Sequence, residues 1–443
     1  MNGYPRFGWV DILRFQHAVI GIFMRSLLFV SIDMPFLGSD IGGLYSDLLC
    51  CLNISDKISI TIIAPSLSDG FQGVRREGGF RVLRVALRQF IGNIPFWKKG
   101  IRILTMSRKY ILAYQKHLSN ERFDVVMMAT PPSSLYDVVK LAKKRSGAKF
   151  YLILRDIHPE CLDRKKIPER FAKRPDVYDE CKRPYGVNFL VEKLLYFQSQ
   201  SLYKLADWVG CMSPGNQRYF KTIAPYVDDD KIVLLPNWYK GRECSGNRND
   251  KLLEKYELRG KFVAIFGGTI GEAQAVWNIA TLAKHNLGKK DVVFLIVGRG
   301  SKRVVLEEMA RKDNLTNMRF SNYLPREDYE QLLELADLGL ISIDEKYKVP
   351  TCPSKIIGYM ALAKPVLAMF NKGSDYGEFY IDQPGCGLYS TDLDHQKMFE
   401  NFDWFYNHPN ERKAMGMAGY RYYKRHFTVD AVCEVLNRQL NNG

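Results

Sequence analysis

The chain has 443 residues, of which 46% are hydrophobic, 13% aromatic and 25% charged. This composition excludes a disordered, collagen-like or low-complexity chain, and at roughly 150 residues per domain the length predicts two or three domains. Lysine and arginine number 64 against 48 acidic residues, which leaves a formal net charge of +16. Such an excess predicts an anionic partner, such as a phosphate-rich ligand, an acidic membrane surface or a nucleic acid.

The nine cysteines are scattered and include no CxxC pair, and no Cys/His cluster has the spacing of a metal site. An odd, dispersed set of thiols fits a reduced cytoplasmic protein better than a disulfide framework. The sequence therefore predicts a cytoplasmic location and no bound metal.

The first 23 residues contain a short apolar stretch without a small-residue cleavage site, so they make a poor signal peptide. A single membrane anchor over residues 18–38 is the alternative. Arg25 and Asp33 interrupt that segment, so no uncharged run reaches the roughly 18 residues that a span needs. We expect residues 1–23 to be a loosely ordered extension, and the first buried strand to follow Met24.

Beyond Met24, short apolar runs alternate with longer segments of helical period, which predicts βαβ units and parallel sheets with helices on both faces. The predicted strands of a first series are 27–32, 59–64, 124–128, 150–154, 208–212 and 232–234. Those of a second series are 262–266, 292–297, 318–320, 338–343 and 365–368. The polar segment 240–251 separates the series, so we predict two doubly wound domains with a ligand cleft at the carboxyl ends of the strands.

Two loops of the first half carry residues suited to a polar ligand. Gly42 and Gly43 follow the first strand, where a glycine pair lets the backbone approach an anion at a helix N-terminus. An ordinary strand-to-helix turn is the alternative. The segment 155–160 holds four ionisable side chains, including Asp156 and His158, at the end of a buried strand. Such groups indicate acid–base chemistry, with a salt bridge as the alternative.

In the second half, glycines follow two consecutive strands, in the segments 266–271 and 297–301. Backbone amides of both loops, at Gly268 and Gly298 among others, would face one ligand. Arg299 suits a nucleobase or a phosphate, and a solvated arginine is the alternative.

A Pro-Ser-Lys segment precedes a later predicted helix. We predict Ser354 as its N-cap and Lys355 in its first turn. A cation there opposes the helix dipole at a cost of roughly 0.3–1 kcal/mol, which a bound anion would remove. We therefore favour a diphosphate site over a chance placement.

The segment 81–118 contains nine lysines and arginines and no acidic residue, with arginines 81, 84 and 88 at helical spacing. This pattern is typical of an interfacial helix on anionic lipid, and a solvated basic face is the alternative. Nucleic acid is less favoured, because no DNA- or RNA-binding motif accompanies the charge. The candidate contacts with the membrane or the acceptor are Arg81, Arg84, Arg88, Trp97, Lys98, Lys99 and Arg102.

In their order along the chain, these motifs resemble the bacterial group 1 (family 4) glycosyltransferases of the GT-B fold. The resemblance is closest to the surface-polysaccharide branch with a Pro-Ser-Lys motif, and it covers nearly everything from Met24 to the end. The matching segments are 42–43, 123–132, 155–160, 206–215, 235–237, 266–271, 297–300, 336–340, 353–355, 364–366 and 415–427.

The resemblance implies an α/β protein of GT-B type, with two doubly wound Rossmann-like domains facing across a cleft. Residues 24–235 would form an acceptor-binding domain, and residues 236–405 a nucleotide-sugar-binding domain. Residues 406–443 would form helices that return to the first domain.

The implied activity is glycosyl transfer from a UDP- or GDP-linked donor, of hexosyl or N-acetylhexosaminyl type, with retention and without a metal or other cofactor. The usual acceptor in this branch is a polyprenyl-diphosphate-linked glycan for capsule, O-antigen or exopolysaccharide. The enzyme would lie peripherally on the inner face of the cytoplasmic membrane, which would explain the basic segment.

Site residues carried over by the resemblance are Gly42, Gly43, Gly268, Thr269, Gly298, Arg299, Ser354 and Lys355 for the donor. Lys355 would stabilise the leaving phosphate, and Asp156 or His158 would orient or deprotonate the acceptor hydroxyl. Many relatives carry glutamates where this chain has Pro350 and Gly358, and an arginine where it has Thr269. The missing glutamates leave an inactive donor-binding subunit as an alternative. Two others also stay open, a sugar-nucleotide epimerase of the same fold and a nucleic-acid-binding protein.

Overall fold

The computed structural model describes residues 25–32, 44–55, 58–66, 70–87, 96–130, 132–155, 157, 187–241, 249–271, 273–345, 350, 352–371 and 374–441. For residues 55, 96–104 and 187–192 it describes the backbone alone. The predicted extension 1–23 lies outside the described residues. Within them, no helix is both long and apolar enough to cross a bilayer.

The first sheet has eight strands in the order β3-β4-β2-β1-β5-β6-β7-β8, all parallel except the β3–β4 hairpin. Its strands are β1 Ser26–Val30, β2 Ser59–Pro65, β3 Gly73–Glu77, β4 Phe80–Val85, β5 Val125–Thr130, β6 Lys149–Leu154, β7 Trp208–Cys211 and β8 Ile232–Leu234. The inner strands β1, β5, β6 and β7 are buried along most of their length, as a parallel sheet between helices requires.

Helices cover both faces of this sheet. They are α1 Leu44–Ser55, α2 Phe96–His117, α3 Tyr136–Ser146, α4 Val187–Leu205 and α5 Pro214–Ile223, with 3₁₀ turns at Ser133–Leu135 and Asp229–Lys231. Helices α2, α3 and α4 share one apolar core, while α1 belongs to the core on the opposite face.

The second sheet has six parallel strands in the order β11-β10-β9-β12-β13-β14. They are β9 Phe262–Thr269, β10 Val292–Arg299, β11 Met318–Ser321, β12 Leu338–Ser342, β13 Val366–Phe370 and β14 Gly387–Thr391. This is the doubly wound order in which the winding reverses between β9 and β12, so ligands are expected at the carboxyl ends of those strands.

The helices of the second half are α6 Asp250–Lys255, α7 Val276–His285, α8 Arg303–Lys312, α9 Arg326–Leu335, α10 Lys355–Ala361, α11 His395–Asn407, α12 Pro409–His426 and α13 Val429–Asn441, with a π-helical turn at Glu378–Asp382. Helix α12 packs on α10, whereas α13 packs on α1 and buries its apolar face in the core of the first sheet. The Tyr151 hydroxyl of β6 donates to Gln439 of α13 at 2.6 Å.

The predicted helical spacing of arginines 81, 84 and 88 is wrong where it can be tested. Arg81 and Arg84 lie in strand β4, and the helix of the basic segment is α2, which begins at Phe96. Residues three apart in a strand point to opposite faces, whereas in a helix they share one. Strand alternation therefore separates the two arginines, and Arg88 lies outside the described residues.

Candidate functional site

Strands β9 and β10 end side by side in the predicted glycines. Gly268 lies opposite Gly298, and Thr269 opposite Arg299, in the parallel register. Gly298 has a φ of 140°, and a Cβ atom there would lie 1.9 Å from the carbonyl oxygen of Gly268. Only glycine permits this approach, so the two strand ends form one continuous rim, with Gly268 and Thr269 exposed.

Backbone hydrogen bonds extend this rim into the following loops. The Ile270 amide donates to the Arg299 carbonyl at 2.9 Å, and the Lys302 amide donates to the Ile270 carbonyl at 3.0 Å. Arg303, the first residue of α8, donates to the Gly298 carbonyl at 2.6 Å. Arg303 therefore supports the rim from behind, a role that its sequence position did not reveal.

Arg299 lies at the open side of the rim. Its guanidinium carbon is 4.7 Å from the ring centre of Tyr323, which follows β11 and is 62% exposed. A cation over an aromatic face is stabilising, and together they present a flat, solvent-accessible platform. The sequence pointed to Arg299 and missed Tyr323, although an aromatic residue just after a predicted strand was a usable signal.

Lys355 begins α10 and reaches back to the end of β9. Its Nζ atom is 3.8 Å from the ring centre of Phe266, the residue before Gly267. Burial lowers the pKa of Lys355 to about 7. Among the described residues no carboxylate forms an ion pair with it. An arriving anion would therefore supply the counter-charge that this partly buried ammonium lacks.

Ser354 occupies the N-cap position of α10, as the sequence predicts, but without a side-chain cap. Its backbone is already helical, with φ −64° and ψ −15°, and its side chain makes no capping hydrogen bond. A capping residue needs extended backbone to turn its side-chain oxygen toward the first amides. The Ser354 side chain is instead exposed beside Lys355.

Buried side-chain amides hold the loop before α10. Asn237 donates to the Cys352 carbonyl at 2.8 Å, and Asn216 of α5 donates to the Pro350 carbonyl at 3.2 Å. These bonds tie the Pro-Ser-Lys segment to the end of the first sheet. The loop that positions Lys355 is therefore held by residues more than 100 positions away from it in sequence.

A second contact between the halves is made by Asp375, which lies between β13 and the π-helical turn. Its carboxylate accepts from the Ser213 hydroxyl at 3.0 Å and from the Gly215 amide at 2.5 Å. An acidic group at the start of α5 is favoured by the helix dipole. Asp375 thus joins the second half to the predicted 206–215 motif, and nothing in its local sequence signalled this.

From the first sheet, Arg155 at the end of β6 faces the same loop. Its guanidinium carbon is 4.2 Å from the ring centre of Trp238. Burial raises the pKa of Cys352 to about 12, and the nearby charge of Arg155 partly offsets that rise. The predicted catalytic residues Asp156 and His158 adjoin Arg155 in sequence but lie outside the described residues.

The other predicted contacts of the first half lie either outside the described residues or in strand β4. Gly42 and Gly43 lie outside the described residues, as do the side chains of Trp97, Lys98, Lys99 and Arg102. Arg81 is exposed and forms an ion pair with Glu121 at 2.6 Å.

Arg84 contradicts its predicted role as a membrane contact. Its side chain is buried in an ion pair with Glu77, and it donates to the Pro65 carbonyl at 2.9 Å. A buried guanidinium is held by its paired carboxylate and cannot reach a lipid surface.

No family model matches the chain. It is 25% identical over 268 residues to WbjE of Pseudomonas aeruginosa, a protein named for glycosyl transfer; the match covers 60% of this chain and 62% of that protein. It is 26% identical over 175 residues to WcaI of Escherichia coli K12, which is named for glycosyl transfer in colanic acid biosynthesis. That match covers 38% of this chain and 42% of WcaI. The chain thus spans about three fifths and two fifths of the lengths of these relatives.

Solved structures match nearly the whole chain. Sucrose-phosphate synthase from Thermosynechococcus elongatus has a TM-score of 0.69 at 12% identity, covering 94% of this chain and 98% of its own. HepE of Anabaena, in complex with UDP and glucose, has a TM-score of 0.64 at 12% identity. The match covers 95% of this chain and 100% of HepE. WaaG, a glycosyltransferase of lipopolysaccharide biosynthesis, has a TM-score of 0.61 at 15% identity. The match covers 94% of this chain and 100% of WaaG. These likenesses confirm the predicted fold, two parallel-sheet domains of GT-B type.

Proposed function

We propose that this GT-B chain is a glycosyltransferase that moves a sugar from a nucleotide-diphosphate sugar to a glycan acceptor in surface-polysaccharide synthesis. The names of the relatives WbjE and WcaI support the reaction and the pathway class. The observation that carries the proposal is the Lys355 ammonium, which lies over Phe266 without an acidic partner among the described residues, at the edge where the sheet reverses its winding.

The proposed donor site combines this cation with the glycine rim. Phe266 immediately precedes Gly267 and Gly268, so Lys355 and the rim border the same space at the end of β9. The diphosphate would lie between Lys355 and the backbone of Gly298. The Arg299–Tyr323 platform, one strand further along, suits the flat face of a nucleobase. UDP and glucose bound to HepE support a donor of this chemical class.

The proposed reaction breaks the bond between the anomeric carbon and the β-phosphate oxygen and forms a bond from that carbon to an acceptor hydroxyl oxygen. Negative charge develops on the departing phosphate, and Lys355 stabilises it without metal assistance. The hydroxyl proton passes to a base, for which Asp156 or His158 remains the proposal. We also propose that the configuration at the anomeric carbon is retained in the product.

The proposed acceptor is a polyprenyl-diphosphate-linked glycan at the cytoplasmic face of an anionic membrane. Support comes from the mutually packed helices α2 and α4. Phe197 of α4 is 63% exposed and Leu112 of α2 is 56% exposed. Exposed cations, among them Arg108, Lys109 and Lys193, belong to the same two helices. Apolar side chains among cations are the composition of a surface that lies on anionic lipid.

A panel of UDP- and GDP-linked sugars tests the proposal, first by thermal shift and then with a membrane extract as acceptor source. A nucleotide-sugar that raises the melting temperature and donates its sugar supports transfer, because a ligand that binds only the native state stabilises it. Altered nucleotide-sugar formed without acceptor would instead indicate an epimerase. Pro350 and Gly358, which replace glutamates of many relatives, favour an inactive donor-binding subunit as the second candidate, and binding without any turnover would indicate it.

A further inference from the structure

A cavity of about 590 Å³ opens at the amino ends of the strands of the first sheet. It is bordered by Ser26 and Ser59, the first residues of β1 and β2, and by the β3–β4 hairpin. The proposed donor site lies instead at the carboxyl ends of β9 and β10, in the second sheet. The cavity therefore does not belong to the proposed donor site, and its volume falls within the roughly 300–1,000 Å³ of small-molecule sites.

The charges around this cavity are unbalanced. Its lining includes Arg76, Arg81 and Arg122 and a single acidic residue, Glu121, which gives a net charge of +2. Glu121 is already paired with Arg81 at 2.6 Å. Among the described residues, neither Arg76 nor Arg122 forms an ion pair with a carboxylate.

The backbone register brings two of these cations face to face. Arg76 of β3 and Arg81 of β4 are directly opposite in the antiparallel ladder, so their side chains project from the same face of the sheet. Like charges at directly opposed positions are destabilising. An anion bound between them would remove the repulsion and gain charge-assisted hydrogen bonds.

Uncharged hydrogen-bonding groups line the rest of the cavity. Thr61 of β2 is in register with Arg81, and Asn53 of α1 and Ser59 lie in the same lining. Such groups suit sugar hydroxyls. We propose that this cavity binds a phosphorylated small molecule of sugar-phosphate type, with its phosphate held by Arg76, Arg81 and Arg122.

The proposal is tested by titration calorimetry of the full chain with glucose 1-phosphate, with inorganic phosphate as the comparison. The variants are Arg76→Ser and Arg122→Ser. Removing Arg76 relieves the opposed charges, so Arg76→Ser should melt at or above the temperature of the parent protein. We expect each variant to weaken glucose 1-phosphate binding by at least about tenfold, the loss of a hydrogen bond to a charged group.

Two controls separate this site from the donor site. Arg218→Ser removes an exposed arginine of α5 outside the cavity, and Lys355→Ala alters only the proposed donor site. Both should retain a glucose 1-phosphate site of parental affinity, whether or not nucleotide binding is lost. Unchanged affinity in Arg76→Ser and Arg122→Ser, or no binding to the parent protein, would overturn the proposal. Equal affinity for inorganic phosphate would overturn the sugar-phosphate assignment.

Discussion

The ammonium of Lys355 lies 3.8 Å from the ring centre of Phe266, and so joins the start of α10 to the end of β9. An aromatic face stabilises a cation without neutralising it, whereas a carboxylate partner would neutralise it. Burial lowers the pKa of Lys355 to about 7, so the protein holds this charge against a desolvation cost. Binding of a diphosphate would offset that cost by supplying the missing counter-charge.

Replacing Lys355 with alanine should reduce glycosyl transfer by roughly 100-fold or more, the loss typical of removing one group that stabilises a developing oxyanion. Thermal stability should not fall, because the substitution removes a partly buried charge without an acidic partner. Steady-state transfer and circular dichroism melting measure the two effects. Lys261→Ala is the matched control, since Lys261 is a half-buried lysine of the same domain whose side chain donates to the Lys290 carbonyl. Transfer at parental rates by Lys355→Ala would refute the phosphate role.

Affinity for UDP-glucose should depend on pH in a manner set by Lys355. In the free protein the lysine loses its proton as pH rises through about 7, whereas its ordinary pKa is 10.5. The charged form binds the diphosphate, so affinity should be constant below pH 6 and fall above pH 7, by at most tenfold per unit. Calorimetry between pH 5.5 and 9 measures this. Lys355→Met should bind UDP-glucose weakly, with an affinity that does not change with pH. If the affinity of the parent protein is equally independent of pH, Lys355 is not the group that binds the diphosphate.

Some of this site was predictable from sequence, because certain residues report on local geometry. A glycine directly after a predicted strand, such as Gly298, favours close approach of backbone to a ligand, and a lysine in a first helical turn indicates a bound anion. Asp375 was not predictable, because its partner Ser213 lies 162 residues away and only the folded chain brings them together. The eleven predicted strands are present, whereas β3, β4 and β14 were missed.

The error over Arg84 has a similar origin. Its spacing from Arg81 fits a helix face and a basic surface equally well, and the sequence does not show that Glu77 will be folded against it. Hairpin pairing between β3 and β4 brings Glu77 and Arg84 together and buries both. Long-range pairing therefore decides which cations of a basic segment face solvent.

Gly298→Ala should abolish nucleotide binding with a modest loss of stability. The new Cβ would lie 1.9 Å from the Gly268 carbonyl oxygen, so the two strand ends must separate. Such overpacking costs about 1–3 kcal/mol. Gly260→Ala is the control, because Gly260 also has a positive φ, of 70°, but no atom within 4 Å of the added Cβ. In Gly260→Ala, urea unfolding should show a loss of stability from backbone strain, while UDP titration should show parental affinity. UDP binding at parental affinity by Gly298→Ala would show that the glycine rim is not part of the nucleotide site.

Phe197→Ser should weaken binding to vesicles that contain anionic phosphatidylglycerol, because it removes an exposed aromatic side chain of α4, which packs on α2 and shares its exposed cations. We expect a several-fold loss in co-sedimentation at low salt. Ile54→Ser is the control, since Ile54 is 79% exposed but belongs to α1, on the opposite face of the sheet. If both substitutions reduce binding equally, or neither does, the α2–α4 surface is not the lipid contact.

The most direct test of the central claim is a crystal structure of the full chain with UDP bound. We expect diphosphate oxygens within hydrogen-bonding distance of Lys355 Nζ and of the backbone after β10, with the uracil ring beside Arg299 and Tyr323. A diphosphate bound elsewhere, with Lys355 still on Phe266 and no phosphate within 5 Å of its ammonium, would contradict it.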